Sequence, residues 1–375
     1  GIPTEIVYDY TADTMSMMTT AMEVNGDVIS GDAGLEASVA GIRGQTIMRL
    51  EAQRQYDQSL TADSLTYTLK SVDPAFESSG TLAGKTENLQ FTGSSTLPLG
   101  VVQASDMSAM LAAGFGFEGK FTYEGNATQV NTETPQGPFE IAFTSESGTL
   151  DVTMGQEGLS YAAAQQALAA DVMTASFPVP LQFAVANAGL NLTMPLQKSD
   201  TPEDFALGFT LQDVIVSDML WGMFDPSGQL PRDPATVLLD LTGKARLLLD
   251  FLDPAAAARS ADPDVTPAEI ESLDINRFEV ALAGAKLTGN GAFTFRNAPE
   301  GGTPAPVGGV NLTLVGGNGL LDKLVAINLL PEEEAMGARM MMGLLAVPGN
   351  APDTLNSKIE VNEDWHVFAN GQRIQ

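Results

Sequence analysis

Thr236-Val237-Leu238-Leu239-Asp240-Leu241-Thr242-Gly243-Lys244-Ala245-Arg246-Leu247-Leu248-Leu249-Asp250-Phe251-Leu252 is the stretch on which the reading of the fold turns. Its odd positions, from Val237 to Phe251, are all apolar or small. Its even positions are mostly polar, with Leu238, Leu248 and Leu252 as exceptions. Alternate side chains of a strand point to opposite faces, so this pattern predicts one strand that is wet on one side. At about 3.3 Å per residue the stretch would span roughly 50 Å, beyond an ordinary strand. Leu, Lys, Arg and Ala also favour a helix. The unbroken apolar set on odd positions decides for the strand.

The same period recurs outward from it. Met22-Glu23-Val24-Asn25-Gly26-Asp27-Val28-Ile29 places Asn-Gly between two short runs, a strong hairpin signal. Asn276 to Lys286, Gly291 to Arg296 and Val310 to Val315 read as successive antiparallel strands. Ser357 to Val361 and His366 to Ala369 flank Asn362-Glu363-Asp364, and Asn370-Gly371 makes a further turn. The predicted fold is therefore mainly β: an elongated, curved antiparallel meander with a few short helices and a C-terminal helical hairpin. Thr11-Ala12-Asp13-Thr14-Met15-Ser16 and Thr61-Ala62-Asp63-Ser64-Leu65-Thr66 resemble one another, which suggests repeated units.

Helix signals are sparse. Ser105 or Asp106 caps a segment carrying Met107, Met110 and Leu111 that stops at Gly114. Thr266-Pro267-Ala268-Glu269 is a capping box, and Ser217-Asp218 opens Met219 to Phe224. Asn318 is read as the cap of a helix from Leu320 to Leu330, and Pro331 as the start of another through Leu345. Tyr161 to Thr174 is undecided between helix and strand. Pro98-Leu99-Gly100, Thr134-Pro135-Gln136-Gly137-Pro138 and the loop Asn297 to Gly309 are turn-rich, but none has the composition of a free linker. The expected organisation is an N-terminal β section over 1–97 and a main β body over 98–375, with the helical hairpin at 318–346.

Composition excludes several kinds of chemistry. Eighteen Lys and Arg stand against 47 Asp and Glu, for a formal charge of −29. That balance, without basic clusters, argues against a nucleic-acid partner. With no Cys and one His, thiolate sites, disulfides and paired-His zinc sites are excluded. No run reaches the ~18 apolar residues of a membrane span. Gly1-Ile2-Pro3 reads as an internal cut without a targeting signal.

The motifs that remain are weak. Gly114-Phe115-Gly116-Phe117-Glu118-Gly119 has dinucleotide-loop spacing but follows a helix and enters a strand, the reverse of the required context. Gly316-Gly317-Asn318-Gly319 precedes a helix yet lacks the Lys-Ser/Thr of a phosphate loop, so it reads as a cap. Asp262, Asp264, Thr266, Glu269 and Glu271 miss the Gly and Glu positions of a calcium loop and read as a solvated acidic helix start. His366 has no partner at catalytic spacing. No catalytic residue, cofactor or metal site is expected.

Two apolar clusters stand out instead. Leu220, Trp221, Met223 and Phe224 precede a turn, and Met336, Met340, Met341 and Leu344 lie on the last helix. Thioethers adapt to irregular surfaces. These eight residues either plug the ends of a β core or contact an apolar ligand or partner. If Met340 is a buried plug, its change to Ala costs about 2–5 kcal/mol. If it is a lid or docking residue, retention of a partner changes instead. The late hairpin is expected to lie over the apolar face of the final strands.

Three strings carry a resemblance. Ser217-Asp218-Met219-Leu220-Trp221-Gly222-Met223-Phe224-Asp225-Pro226-Ser227-Gly228, continuing through Gln229-Leu230-Pro231-Arg232-Asp233-Pro234-Ala235-Thr236, resembles the signature of the domain-of-unknown-function 2125 family. Gly316 to Leu324 with Ala335 to Leu344 is similar to its C-terminal section, and so are Ser357 to Asn362 and Asn370 to Ile374. Trp365-His366 departs from the more polar sequence expected there. The resemblance implies a periplasmic protein of a Gram-negative envelope whose secretion signal and N-terminal portion precede this chain. It transfers no activity. The expected function is non-enzymatic: binding a lipid-like apolar ligand along a β-groove, or serving as an accessory subunit of a larger envelope complex.

Overall fold

Alternation carries the chain into strands almost throughout. The structure, a computed structural model, describes residues 4–24, 27–50, 53–73, 78–100, 106–260, 265–296 and 305–375. These residues form seventeen strands and five helices, and the strands follow the expected antiparallel meander. Two compact units arise, Gly1–Gln156 with Tyr161–Ala188 and Glu157–Ser160 with Gly189–Gln375. Among the described residues, no helix is long and apolar enough to cross a membrane.

In the first unit β1 (Glu5–Val24), β2 (Asp27–Leu50), β3 (Arg54–Asp73), β4 (Ser78–Leu97), β5 (Gly116–Thr134) and β6 (Gly137–Gly155) pair in chain order. Val24 stands opposite Asp27, as the predicted hairpin requires; Asn25-Gly26 lies outside the described residues. Thr134 faces Gly137 across Pro135-Gln136, so that turn-rich stretch is a hairpin. Helix α1 (Met107–Ala112) is capped by the Asp106 carboxylate, which accepts from the Ala109 N–H at 2.9 Å. Ser105 lies outside the described residues. The chain leaves α1 through Gly114 at φ +96° and enters β5, so the glycine pattern is a helix stop. Tyr161 to Thr174 belongs to strand β7 (Gly158–Thr174), followed by β8 (Phe177–Met194).

A crease crosses these strands near their midpoints. Pairing skips Asp13 and Gly41, then Asp63 and Asn88, then Gly125 and Glu146, while the register on either side is unchanged. Gly41, Asn88 and Gly125 take left-handed backbone at φ +66°, +51° and +90°. The consequence shows in the packing around Ile42, Ala62 and Leu89. Val39 joins Ile42 there, and Leu60 and Ala62 join Leu65. Residues three apart in a regular strand face opposite ways. β2 and β3 therefore change phase at the crease and keep these residues on one side. The two similar hexapeptides lie on β1 and β3, where Thr11 and Thr61 both face Arg43, and Thr14 and Ser64 both face Ala40.

Tyrosines lie flat on this sheet over glycines directly opposite them. Tyr10 faces Gly44, Tyr67 faces Gly84 and Tyr123 faces Gly148. A Cβ on any of these glycines would come within 2.6 Å of the ring. The Tyr67 hydroxyl reaches Thr128 at 2.8 Å, and the Tyr123 hydroxyl reaches Ser145 at 2.9 Å.

In the second unit β9 (Glu203–Val216), β10 (Ala235–Leu247), β11 (Ala268–Leu282), β12 (Ala285–Arg296) and β13 (Ala305–Val315) pair in order. The deciding stretch is a strand, but it ends at Leu247 and not Leu252. After it the Asp250 carboxylate accepts from the Leu252 N–H, and Asp253 accepts from Ala255 at the start of helix α3 (Pro254–Arg259). Side-chain capture of backbone donors favours turns over a ladder.

The predicted strand Asn276 to Lys286 contains a turn at Ala283-Gly284, both left-handed at φ +50° and +82°. The capping box at Thr266 opens no helix. Ala268 to Ser272 pair instead with Leu247 to Lys244, and Glu269 forms an ion pair with Arg246 on the neighbouring strand. Of the loop expected over Asn297 to Gly309, residues 297–304 lie outside the described residues and β13 already starts at Ala305. β15 (Thr354–Val361) pairs with β13 and with the short β14 (Val347–Pro348), and β16 (Val367–Ala369) and β17 (Gln372–Arg373) follow as predicted around Asn370-Gly371. His366 sits just before β16, and its N–H donates to the Asn362 side chain at 2.9 Å.

Candidate functional site

Helix α2 (Asp218–Phe224), the turn after it and helix α4 (Gly317–Ala326) meet at one point of the second unit. Trp221, 7 % exposed, packs with Leu230 and Ala283 and against Val216, Leu320, Leu324 and Ile327. The rings of Trp221 and Phe224 lie 5.0 Å apart. Leu220 is half-buried, whereas Met223 and Phe224 are exposed. The first predicted cluster is thus a plug with an open rim.

The turn is set by a residue that periodicity does not reveal. Asp225 is fully buried and accepts from the N–H groups of Gln229 at 2.9 Å and Leu230 at 2.8 Å, and from the Ser227 hydroxyl. Burial pushes its carboxyl upward, but these donors outweigh that and hold it below the ordinary value. Asp-Pro-Ser-Gly after an apolar run was its only signal.

Asn318 is not the cap of α4. Gly316, left-handed at φ +77°, holds that position, and the helix ends at Ala326, short of Leu330. Asp353, from the loop before β15, accepts from the N–H groups of Asn318 at 3.1 Å and Gly319 at 2.9 Å. Burial raises this carboxyl and the donors from Gly319 and Asn318 lower it further than that. The glycine-rich helix start is therefore filled by a carboxylate of the chain itself.

Helix α5 (Glu332–Leu345) begins after Pro331 as predicted and is tied to α4 by Arg339 and Asp322, 2.5 Å apart. At its end the Leu345 carbonyl accepts from Ser357 at 2.6 Å and Asn370 at 2.9 Å, which anchors it to the last strands. Its buried side is small, with Ala335 fully enclosed. Met336, Met340, Met341 and Leu344 face solvent, Met340 at 71 % exposure. This overturns the reading of Met340 as a buried plug. Met340→Ala is expected to change stability by less than about 0.5 kcal/mol in chemical denaturation, and a loss above 2 kcal/mol would contradict the placement.

Among the described residues, no group of three or more Asp, Glu or His is arranged to hold a metal. Asp262 and Asp264 lie outside the described residues. One buried acid has a structural role: Glu279, 9 % exposed, sits between Lys286 at 2.6 Å and Arg277 at 2.8 Å. Lys286 first and Arg277 second hold it below its ordinary value. A lowered acid contributes stability above its unfolded pKa and loses it as pH falls through the folded one. Glu279→Gln is expected to cost about 1–2 kcal/mol at pH 7, and the gap to the parent protein should close below about pH 4. Repulsion among the other carboxylates acts on both proteins and cancels. A gap that widens on acidification would reverse the sign argued here. Compared with family models, curated proteins and solved structures, the chain matches none.

Proposed function

We propose that the protein is a non-enzymatic component of a Gram-negative envelope, located in the periplasm, that holds a lipid-like apolar ligand against the apolar face of its sheet. One observation carries the reading. In the first unit the crease keeps Val39, Leu60, Leu65 and Phe121 on one side, yet all four are only partly buried. The described residues of that unit include a single helix, the six-residue α1. Burying apolar area is worth about 25 cal/mol per Å², so the partly exposed apolar residues that surround the buried Ile42, Ala62 and Leu89 favour an apolar cover. The likeness to the envelope family supports the compartment.

Native mass spectrometry of protein purified from a Gram-negative envelope extract tests the reading. Adducts of lipid mass, extractable into organic solvent and absent after Leu65→Asp, are expected. Protein of bare mass under gentle ionisation, with no lipid in the extract, would sink it. A second reading, an accessory subunit of a larger envelope complex, is favoured by the uncovered Met336, Met340 and Leu344 on α5. Under that reading Met340→Asp releases a co-purifying protein while the lipid stays bound.

A further inference from the structure

A polar surface of the second unit is not used by the apolar reading. Asn290 on β12 stands opposite Asn311 on β13, and Asn311 opposite Lys358 on β15. Asn311 donates to the Asn290 side-chain oxygen at 3.3 Å. On β11, Asn276 donates to Asp240 at 3.2 Å and Thr242 at 3.1 Å. Residues two apart share a face, so the next level holds Asp274, Ala292, Gly309, Glu360 and Phe368, each opposite the next. These two rows line one open trough. Its floor is low at Ala292 and Gly309, its rim is amide and carboxylate, and Phe368 closes one end.

The lining selects a ligand chemistry. A side-chain amide both donates and accepts, as does a sugar hydroxyl. Lys358 and Glu360 neutralise one another at 2.8 Å, which leaves Asp274 as the net charge and disfavours anions. Neighbouring strands repeat these groups about every 5 Å across the trough, a spacing that suits a chain of linked rings. The Phe368 ring offers an apolar face to the C–H side of a sugar. We infer that this trough binds a neutral oligosaccharide, independently of any lipid on the other unit.

Isothermal titration of the purified chain with maltohexaose, cellohexaose and chitotetraose tests this. Saturable binding of at least one is expected. Asn311→Leu should weaken it about tenfold, the effect of losing one net hydrogen bond. Ala292→Phe, which fills the exposed floor, should abolish it without lowering the melting temperature. Polygalacturonate should not bind. Failure of all three neutral oligomers at millimolar concentration overturns the inference. So does undiminished binding in Ala292→Phe, or preference for polygalacturonate.

Discussion

Trp221→Ala is expected to destabilise the second unit by about 3–5 kcal/mol, the range for truncating a buried large aromatic side chain. Trp221 is where four segments meet: α2, the turn ending at Leu230, the Ala283 turn and α4. The Phe224 ring rests on it and is itself exposed, so it cannot slide in without unwinding the end of α2. The cavity should therefore stay open. Chemical denaturation followed by far-ultraviolet circular dichroism measures the loss. Hydrogen exchange should place it in residues 216–231 and 316–327. A cost below about 1 kcal/mol would show that the surrounding segments hold together without the indole.

The second large effect is expected at Gly316. A Cβ there would lie 2.3 Å from the Gly284 carbonyl oxygen, and φ is +77°. The Cβ would sit at a helix start, and the oxygen it meets is backbone of a tight hairpin turn that cannot swing aside as a flexible side chain could. Gly316→Ala should cost about 2–4 kcal/mol, combining left-handed strain with overpacking. Gly343→Ala is the matched control. It lies inside α5 with open space at its Cβ, and should gain about 0.5–1 kcal/mol from helix propensity. Equal melting temperatures for the two variants would contradict the close approach of α4 to the Ala283-Gly284 turn.

Much of the strand content could be read from alternation, because a period of two is local and needs no partner. What escaped had non-local causes. The capping box at Thr266 is sound as a local signal, but Arg246 draws Glu269 into a ladder and the strand wins. Asp353 caps α4 from 35 residues away, so no local pattern shows it. On α5 both sides of the helix are apolar, and periodicity alone could not choose which is covered. The choice goes to the side carrying Ala335, where a small side chain lets the helix approach closely. The eight candidate residues were legible as clusters. Their division into an enclosed Trp221 and a solvated Met340 was not, since it depends on what stands opposite.

The crease imposes a counting rule on the strands it crosses. Each of β2 and β3 consists of two halves whose apolar residues fall on opposite parities, joined by one extra residue at Gly41 or Asp63. A substitution in either half disturbs one contact. Deleting one residue within a half instead shifts everything between the deletion and the crease by one place, turning oily side chains to the wet side and polar ones inward. Length changes in these strands should therefore survive only in pairs, an addition matched by a removal on the same side of the crease, or as whole hairpins. In these strands a change of letter is local, whereas a change of spacing reaches every residue up to the crease.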